Sequence, residues 1–229
     1  MKVTIIGHQG YIGQNVKNAL NNIGVDELYL IDRNTSKESF IRYISDSDIV
    51  IHCGAIQRPI INEIDSFLPN LILTKQIVDN LSRETKLIFL SSIHYNSNTP
   101  FGLVRKMEED YIVNNIEHYT IYHLPYTYGP YGKPNYNNFF NTIIINVIEN
   151  KEVCLNDFHS EFPILSINEF MIDFISNLNK SLNIVNDFNT NYTTLPNFLN
   201  KILNIKNGVE LDEISYEEIK SVYDWYKMR

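Results

Sequence analysis

The sequence predicts an α/β fold: a Rossmann-like doubly wound parallel sheet with a small C-terminal substrate-binding lobe. Three observations predict it. Short β-branched runs alternate with helical patterns through the first 125 residues. A glycine-rich turn, Gly7 to Gly13, sits between the first such run and the first helical stretch. After Pro125 the alternation stops, and Tyr, Gly and Pro crowd together. We therefore divide the chain into a dinucleotide-binding region over 1–125 and a smaller substrate lobe with C-terminal helices over 126–229.

The elements follow in order. Lys2 to Ile6 is a β-branched apolar run, and Tyr11 to Ile23 has helical spacing and stops at Gly24, a natural C-cap. Leu28 to Ile31 and Asp48 to His52 read as the next two strands. Ile61 to Leu81 reads as a long helix, Lys86 to Leu90 as a fourth strand, Phe101 to Asn115 as a helix and Tyr119 to Leu124 as a fifth strand. Short strands without polar alternation are buried on both faces, which requires crossover helices and a parallel sheet. Tyr126 to Tyr136 reads as a functional loop, and Asn138 to Asn150 as an apolar helix. Short strands are expected near Val153 and over Pro163 to Ile167, then helices over Asn168 to Leu178, Leu195 to Leu203 and Asp212 to Met228.

Charge and composition exclude several classes. Lys and Arg number 19 against 27 Asp and Glu, a net charge of −8, whereas a nucleic-acid surface needs clustered cations. No apolar run reaches the roughly 18 residues of a membrane span, and the N-terminus enters a strand without a signal-peptide pattern. The expectation is a cytoplasmic protein with no nucleic-acid or membrane partner. Cys53 and Cys154 make neither a disulfide framework nor a metal cage, and the six histidines lack ligand spacing, so no metal is expected.

The strongest motif is Gly7-His8-Gln9-Gly10-Tyr11-Ile12-Gly13, a G-x-x-G-x-x-G turn. Glycines there let backbone N–H groups at a helix start approach a pyrophosphate. The loop residues Gln9, Tyr11 and Ile12 are counted with the three glycines as cofactor contacts. Asp32 lies nineteen residues beyond Gly13, at the end of the second strand, where a carboxylate suits ribose hydroxyls. Arg33 beside it suits a 2′-phosphate. Asp32 favours NAD(H) and Arg33 admits NADP(H).

With these residues the chain resembles the extended short-chain dehydrogenase/reductase (NAD-dependent epimerase/dehydratase) family of nucleotide-sugar enzymes. His52-Cys53-Gly54-Ala55 resembles the family's cofactor-lining turn after strand three, and Asn70 matches a structural Asn on the next helix. Ser91-Ser92 closes strand four like the catalytic serine segment, and Pro125 to Pro130 resembles the substrate-side stretch. Arg58-Pro59, Lys133 to Asn137 and Asn156-Asp157 resemble segments of capsule-forming reductases. The resemblance implies an NAD(P)-dependent reductase of a nucleotide-linked 4-keto-6-deoxy sugar, UDP-2-acetamido-2,6-dideoxy-hexos-4-ulose, serving surface-glycan synthesis. It implies substrate contacts from Arg58, His94, Tyr126, Lys133, Asn135 and Tyr136. It also implies a homodimer built from the helices near 61–81 and 101–115.

The sequence departs from the family at the catalytic unit, a Ser followed by Tyr-x-x-x-Lys. Gapless matching puts Ser92 at the serine, Phe101 at the tyrosine and Arg105 at the lysine. Ser92 is then expected to polarise the ketone and Arg105 to anchor the ribose. Phe101 has no hydroxyl to give, so Tyr95, Tyr126 and Tyr128 become alternative acids. Tyr216–Lys220 and Tyr223–Lys227 do carry the Tyr-x-x-x-Lys string, but with no serine strand before them they read as one amphipathic helix. The alternative function is a catalytically silent relative that binds the dinucleotide or the nucleotide sugar as a partner subunit or sensor.

Overall fold

The structure, a computed structural model, describes residues 1–136, 138–180, 183–188, 190–210 and 214–229. It divides into two units, one of residues 1–124 with 175–188 and one of residues 125–174 with 189–229. The C-terminal portion is thus not the unbroken lobe over 126–229 that the sequence predicts. A short strand from it returns to the first unit.

The first unit holds β1 (Lys2–Ile6), α1 (Tyr11–Ile23), β2 (Glu27–Ile31), α2 (Lys37–Ser45), β3 (Ile49–His52), α3 (Ile64–Val78), β4 (Lys86–Ser92), α4 (Pro100–Asn115), β5 (Tyr119–Leu124) and β8 (Ile184–Asp187). The strands form one six-stranded sheet in the order β2-β1-β3-β4-β5-β8, and every pairing is parallel. The order turns back at β1, whose neighbours are β2 and β3. Ligands of open α/β sheets lie outside the carboxyl ends of the strands at such a reversal. Val50, Leu87, Phe89 and Ile121 are buried in the core with Ile77 of α3 and Ile112 of α4. The strands are apolar on both faces because helices cover both.

α2 is absent from the sequence reading. It is nine residues long and buries only Ile44, so its apolar signal is thin; Ser36 caps it by accepting from the Ser39 N–H. α3 begins at Ile64 rather than Ile61, since Ile60 and Ile61 are exposed in the loop before it. Lys86 at the start of β4 donates to the carbonyls of Asn177, Leu178 and Lys180, closing a helix C-terminus whose carbonyls lack intrahelical partners.

The second unit holds β6 (Tyr126–Tyr128), α5 (Phe139–Ile148), β7 (Phe162–Ser166), β9 (Asn191–Thr193), α7 (Leu195–Lys206) and α8 (Ile214–Lys227). α6 (Ile167–Asn177) runs from this unit into the first. β7 pairs parallel with β6 and antiparallel with β9. The segment read as a loop from Tyr126 therefore opens as a strand. No strand forms over 151–155; Val153 and Leu155 pack against the apolar cluster of α5, α7 and α8 instead of joining a ladder. Tyr216 and Tyr223 are 1% and 4% exposed in that cluster, so both C-terminal Tyr-x-x-x-Lys strings serve packing.

Candidate functional site

In the first unit the expected cofactor residues gather at the carboxyl ends of β1, β2 and β3. The loop after β1 turns on Gly7, whose φ is +82°. A Cβ there would lie 2.7 Å from the Gly54 nitrogen, so the turns after β1 and β3 touch backbone to backbone. Gly10 donates to the Gly7 carbonyl at 3.0 Å and caps α1 with no side-chain bond to the helix start. Gly13 lies still closer, since a Cβ on it would stand 2.2 Å from the Gly7 carbonyl oxygen. At Gly7 and Gly13 this close packing admits no side chain, and the turn forms a cradle of bare backbone beside an uncapped helix start. That arrangement fits a pyrophosphate.

Asp32 continues the cradle. Its carboxylate accepts from the Asn34 N–H at 2.8 Å and from Gln9 Nε2 at 2.7 Å. Gln9 therefore reaches this site through its side chain as well as its backbone. Arg33 is exposed beside it. Cys53 and Gly54 are half-buried and Ala55 is exposed. Burial pushes the Cys53 thiol up to about 12, so it stays neutral and acts as a small lining group. Asn70 fixes the following loop by accepting from the Ile56 N–H and donating to the Ile56 carbonyl.

The catalytic positions behave differently. Ser92 ends β4 half-buried, and its Oγ accepts from the His94 N–H at 3.2 Å. Phe101 packs edge-on against Phe67 of α3. Arg105 is 2% exposed, with its guanidinium over the Phe89 and Phe101 rings at 5.2 and 5.3 Å. Its Nη1 lies 3.2 Å from Glu108 Oε2, and Glu108 is fully buried. Glu108 accepts from Thr74 at 2.6 Å, and Thr74 in turn accepts from His52 Nε2 at 3.1 Å. His52 is therefore the Nε2–H tautomer. Burial, then the nearby Arg105 charge, lowers its pKa to about 3, so it is neutral. Arg105 thus turns inward onto a buried polar chain rather than out from α4.

A second network crosses the same sheet edge. Ser91, His123 and Asp187 are register neighbours on β4, β5 and β8. His123 Nε2 lies 3.0 Å from Glu109, and Nδ1 lies 2.6 Å from Asp187. Ser91 donates to the other oxygen of Glu109. Sequence reading missed this set, because Asp187 lies 64 positions from His123 on a four-residue strand with no motif around it.

The remaining expected contacts are divided between the two units. Arg58 and His94 are exposed in the first unit. In the second, Lys133, Asn135 and Tyr136 are exposed in one loop, and Asn137 lies outside the described residues. Tyr126 packs among Phe139, Phe140 and Phe162. A cleft of about 300 Å³ in that unit is lined by Phe139, Thr142, Asn146, Cys154, Asn156 and Asp157, among others.

The second unit also holds a carboxyl pair. Burial, then the charge of Glu169, raises the Glu218 pKa to about 7, although Tyr128 donates to Glu218 at 3.3 Å. A carboxyl pKa raised on folding favours the native state fully below the unfolded value, and that support is lost as pH rises through the folded one. Stability is therefore expected to fall between about pH 4.5 and about pH 7 on this account. Glu218→Gln, which stays neutral, is expected to raise the melting temperature at pH 8 by a few degrees and to leave it unchanged at pH 4, as followed by calorimetry.

No described helix is long and apolar enough to cross a membrane. Residues 3–164 match the model of the NAD dependent epimerase/dehydratase family. A curated relative, the UDP-2-acetamido-2,6-beta-L-arabino-hexul-4-ose reductase of Pseudomonas aeruginosa, is 25% identical over 183 residues. That covers 76% of this chain and 49% of the relative, so the chain spans about half of the relative's length. The capsular polysaccharide assembling protein CapF of Staphylococcus aureus superposes with a TM-score of 0.84 at 21% identity, over 99% of this chain and 66% of that one. MoeE5 in complex with UDP-glucose and NAD superposes with a TM-score of 0.83 at 13% identity, over 100% and 99%. These likenesses in structure carry the fold, and the match over residues 3–164 carries the family: the chain belongs to the NAD dependent epimerase/dehydratase family.

Proposed function

We propose that the chain is an NAD(P)-dependent reductase of a nucleotide-linked 4-keto-6-deoxy sugar, with UDP-2-acetamido-2,6-dideoxy-hexos-4-ulose as the favoured substrate. The observation that carries the reading is the cradle at Gly7, Gly10 and Gly13 beside Asp32. A bound reduced nicotinamide dinucleotide supplies hydride. The start of α1 would hold its pyrophosphate, Asp32 its adenosine ribose, and Cys53, Gly54 and Ala55 the floor of the groove. The free valence of this site is the 2′ position: Asp32 favours NAD(H), and the exposed Arg33 suits NADP(H). Ser92 would donate to the ketone oxygen and stabilise the charge that grows there. The second-unit cleft, with Phe139 and two Asn side chains, suits a planar base with a polar edge such as uracil. A homodimer through α3 and α4 belongs to the same proposal, and Ile72, Leu103, Met107 and Val113 expose apolar surface on those helices.

A second reading has its own observation. Phe101 has no acid, and Arg105 is buried against Glu108, which suits a relative that keeps the nucleotide pocket without the reaction. One experiment separates the two. Single-turnover mixing with NADPH or NADH and a UDP-4-keto-6-deoxy-HexNAc is expected to oxidise the cofactor. Tight cofactor binding with no oxidation above buffer would leave only the silent binder. Turnover restored by Phe101→Tyr with Arg105→Lys would then trace the loss to these two positions.

A further inference from the structure

We propose that Tyr95 is the proton donor of this site, acting against an imidazolium at His123; the inference rests on the reductase reading above. Reduction of a ketone needs a proton at oxygen, and Phe101 has none to give. Packing separates the three tyrosines that could replace it. Tyr128 is 2% exposed and its hydroxyl donates to Glu218. Tyr126 is set among three phenylalanine rings. Tyr95 lies on the turn that carries Ser92, where its N–H donates to the Ser92 carbonyl at 2.9 Å. It is half-buried rather than sealed in a core.

Its ring stacks on the His123 imidazole with centroids 3.9 Å apart and planes within 15°. His123 is 2% exposed and sits between two carboxylates, Glu109 of α4 and Asp187 of β8. A neutral imidazole has one N–H and cannot donate to both; the doubly protonated ring does. Burial by itself would disfavour that charge, but the hydrogen bonds and charges of Glu109 and Asp187 outweigh it. Ser91 donates to Glu109 and holds that carboxylate in place. A fixed cation on the ring face stabilises the negative charge that grows on the phenol oxygen as its proton leaves. In the step, the Tyr95 Oη–H bond breaks and the proton goes to the ketone oxygen, whose carbon takes the hydride that a reduced nicotinamide supplies. The ketone is reduced to an alcohol, the nicotinamide is oxidised, and the Tyr95 oxygen regains a proton from water.

Tyr95→Phe tests this cleanly, because it keeps the stacked ring and removes only the hydroxyl. The single-turnover rate is expected to fall on the order of 10²–10⁴-fold, the usual worth of a general acid. The Kd for the reduced dinucleotide, read by its fluorescence, and the melting temperature are expected to stay as in the wild type. Nitrogen NMR of the cofactor-free protein is expected to show both His123 nitrogens protonated at pH 7 in both proteins. An active wild type whose rate is unmoved by Tyr95→Phe, or a neutral His123, overturns the inference and leaves the reductase reading standing. A wild type that binds the dinucleotide yet oxidises none of it removes both.

Discussion

Gly13→Val is expected to weaken dinucleotide binding severely while Gly10→Ala largely preserves it. The two glycines share one loop, so composition alone does not separate them. At Gly13 a Cβ would stand 2.2 Å from the Gly7 carbonyl oxygen and 2.9 Å from the His8 Cα. Both are backbone atoms of the same turn, and neither can rotate away. α1 would have to withdraw from the end of β1, taking the uncapped N–H groups with it. At Gly10 the nearest atom to a Cβ is 3.3 Å away, and its φ of −72° is open to any residue. Overpacking of this kind costs about 1–3 kcal/mol, and every 1.4 kcal/mol taken from binding is about tenfold. We expect the Kd for NADH or NADPH to rise on the order of 10–100-fold in Gly13→Val and less than about tenfold in Gly10→Ala. Equal losses in the two variants would mean that close approach of helix and strand is not what makes the site.

The same contrast explains how much was legible in the sequence. Lys2 to Ile6 is readable because a strand buried on both faces needs apolar residues at every position, and the glycine turn because close backbone approach admits no other residue. Asp32 follows from the fixed length of a βαβ unit. β8 was not readable: four residues, Ile184 to Asp187, carry too little pattern, and they pair with β5 across some sixty positions. With β8 hidden, so was the pairing of Asp187 with His123. Arg105 shows a different limit. Its position four residues after Phe101 fixes their shared helix face, but not where the side chain points. That is decided by the Phe89 and Phe101 rings at its guanidinium and Glu108 one turn on, and only the packed core brings those together. A lysine-for-arginine exchange looks conservative in sequence, yet the planar guanidinium can lie over two rings where an ammonium on a thinner stem would not.

Glu108→Ala is expected to destabilise the protein by about 3–5 kcal/mol, the usual result of removing one partner from a buried ion pair. Burial, the largest influence, raises the Glu108 pKa, and Arg105 opposes it with Thr74. Each charge is therefore tolerable only beside the other. Among the described residues, Arg105 Nε and Nη1 make no hydrogen bond, so its charge rests on Glu108 and on the faces of Phe89 and Phe101. Without Glu108 a guanidinium 2% exposed loses the carboxylate paired with it. Thr74 also loses its acceptor, and the bond from His52 loses its anchor. Joint replacement, Arg105→Met with Glu108→Leu, removes both charges and fills similar volume. It is expected to be neutral or stabilising, as buried pairs replaced together by apolar residues often are. Urea unfolding of the three proteins checks this directly. If the double variant is as unstable as Glu108→Ala, the pair contributes net stability of its own, and the argument from an orphaned charge fails.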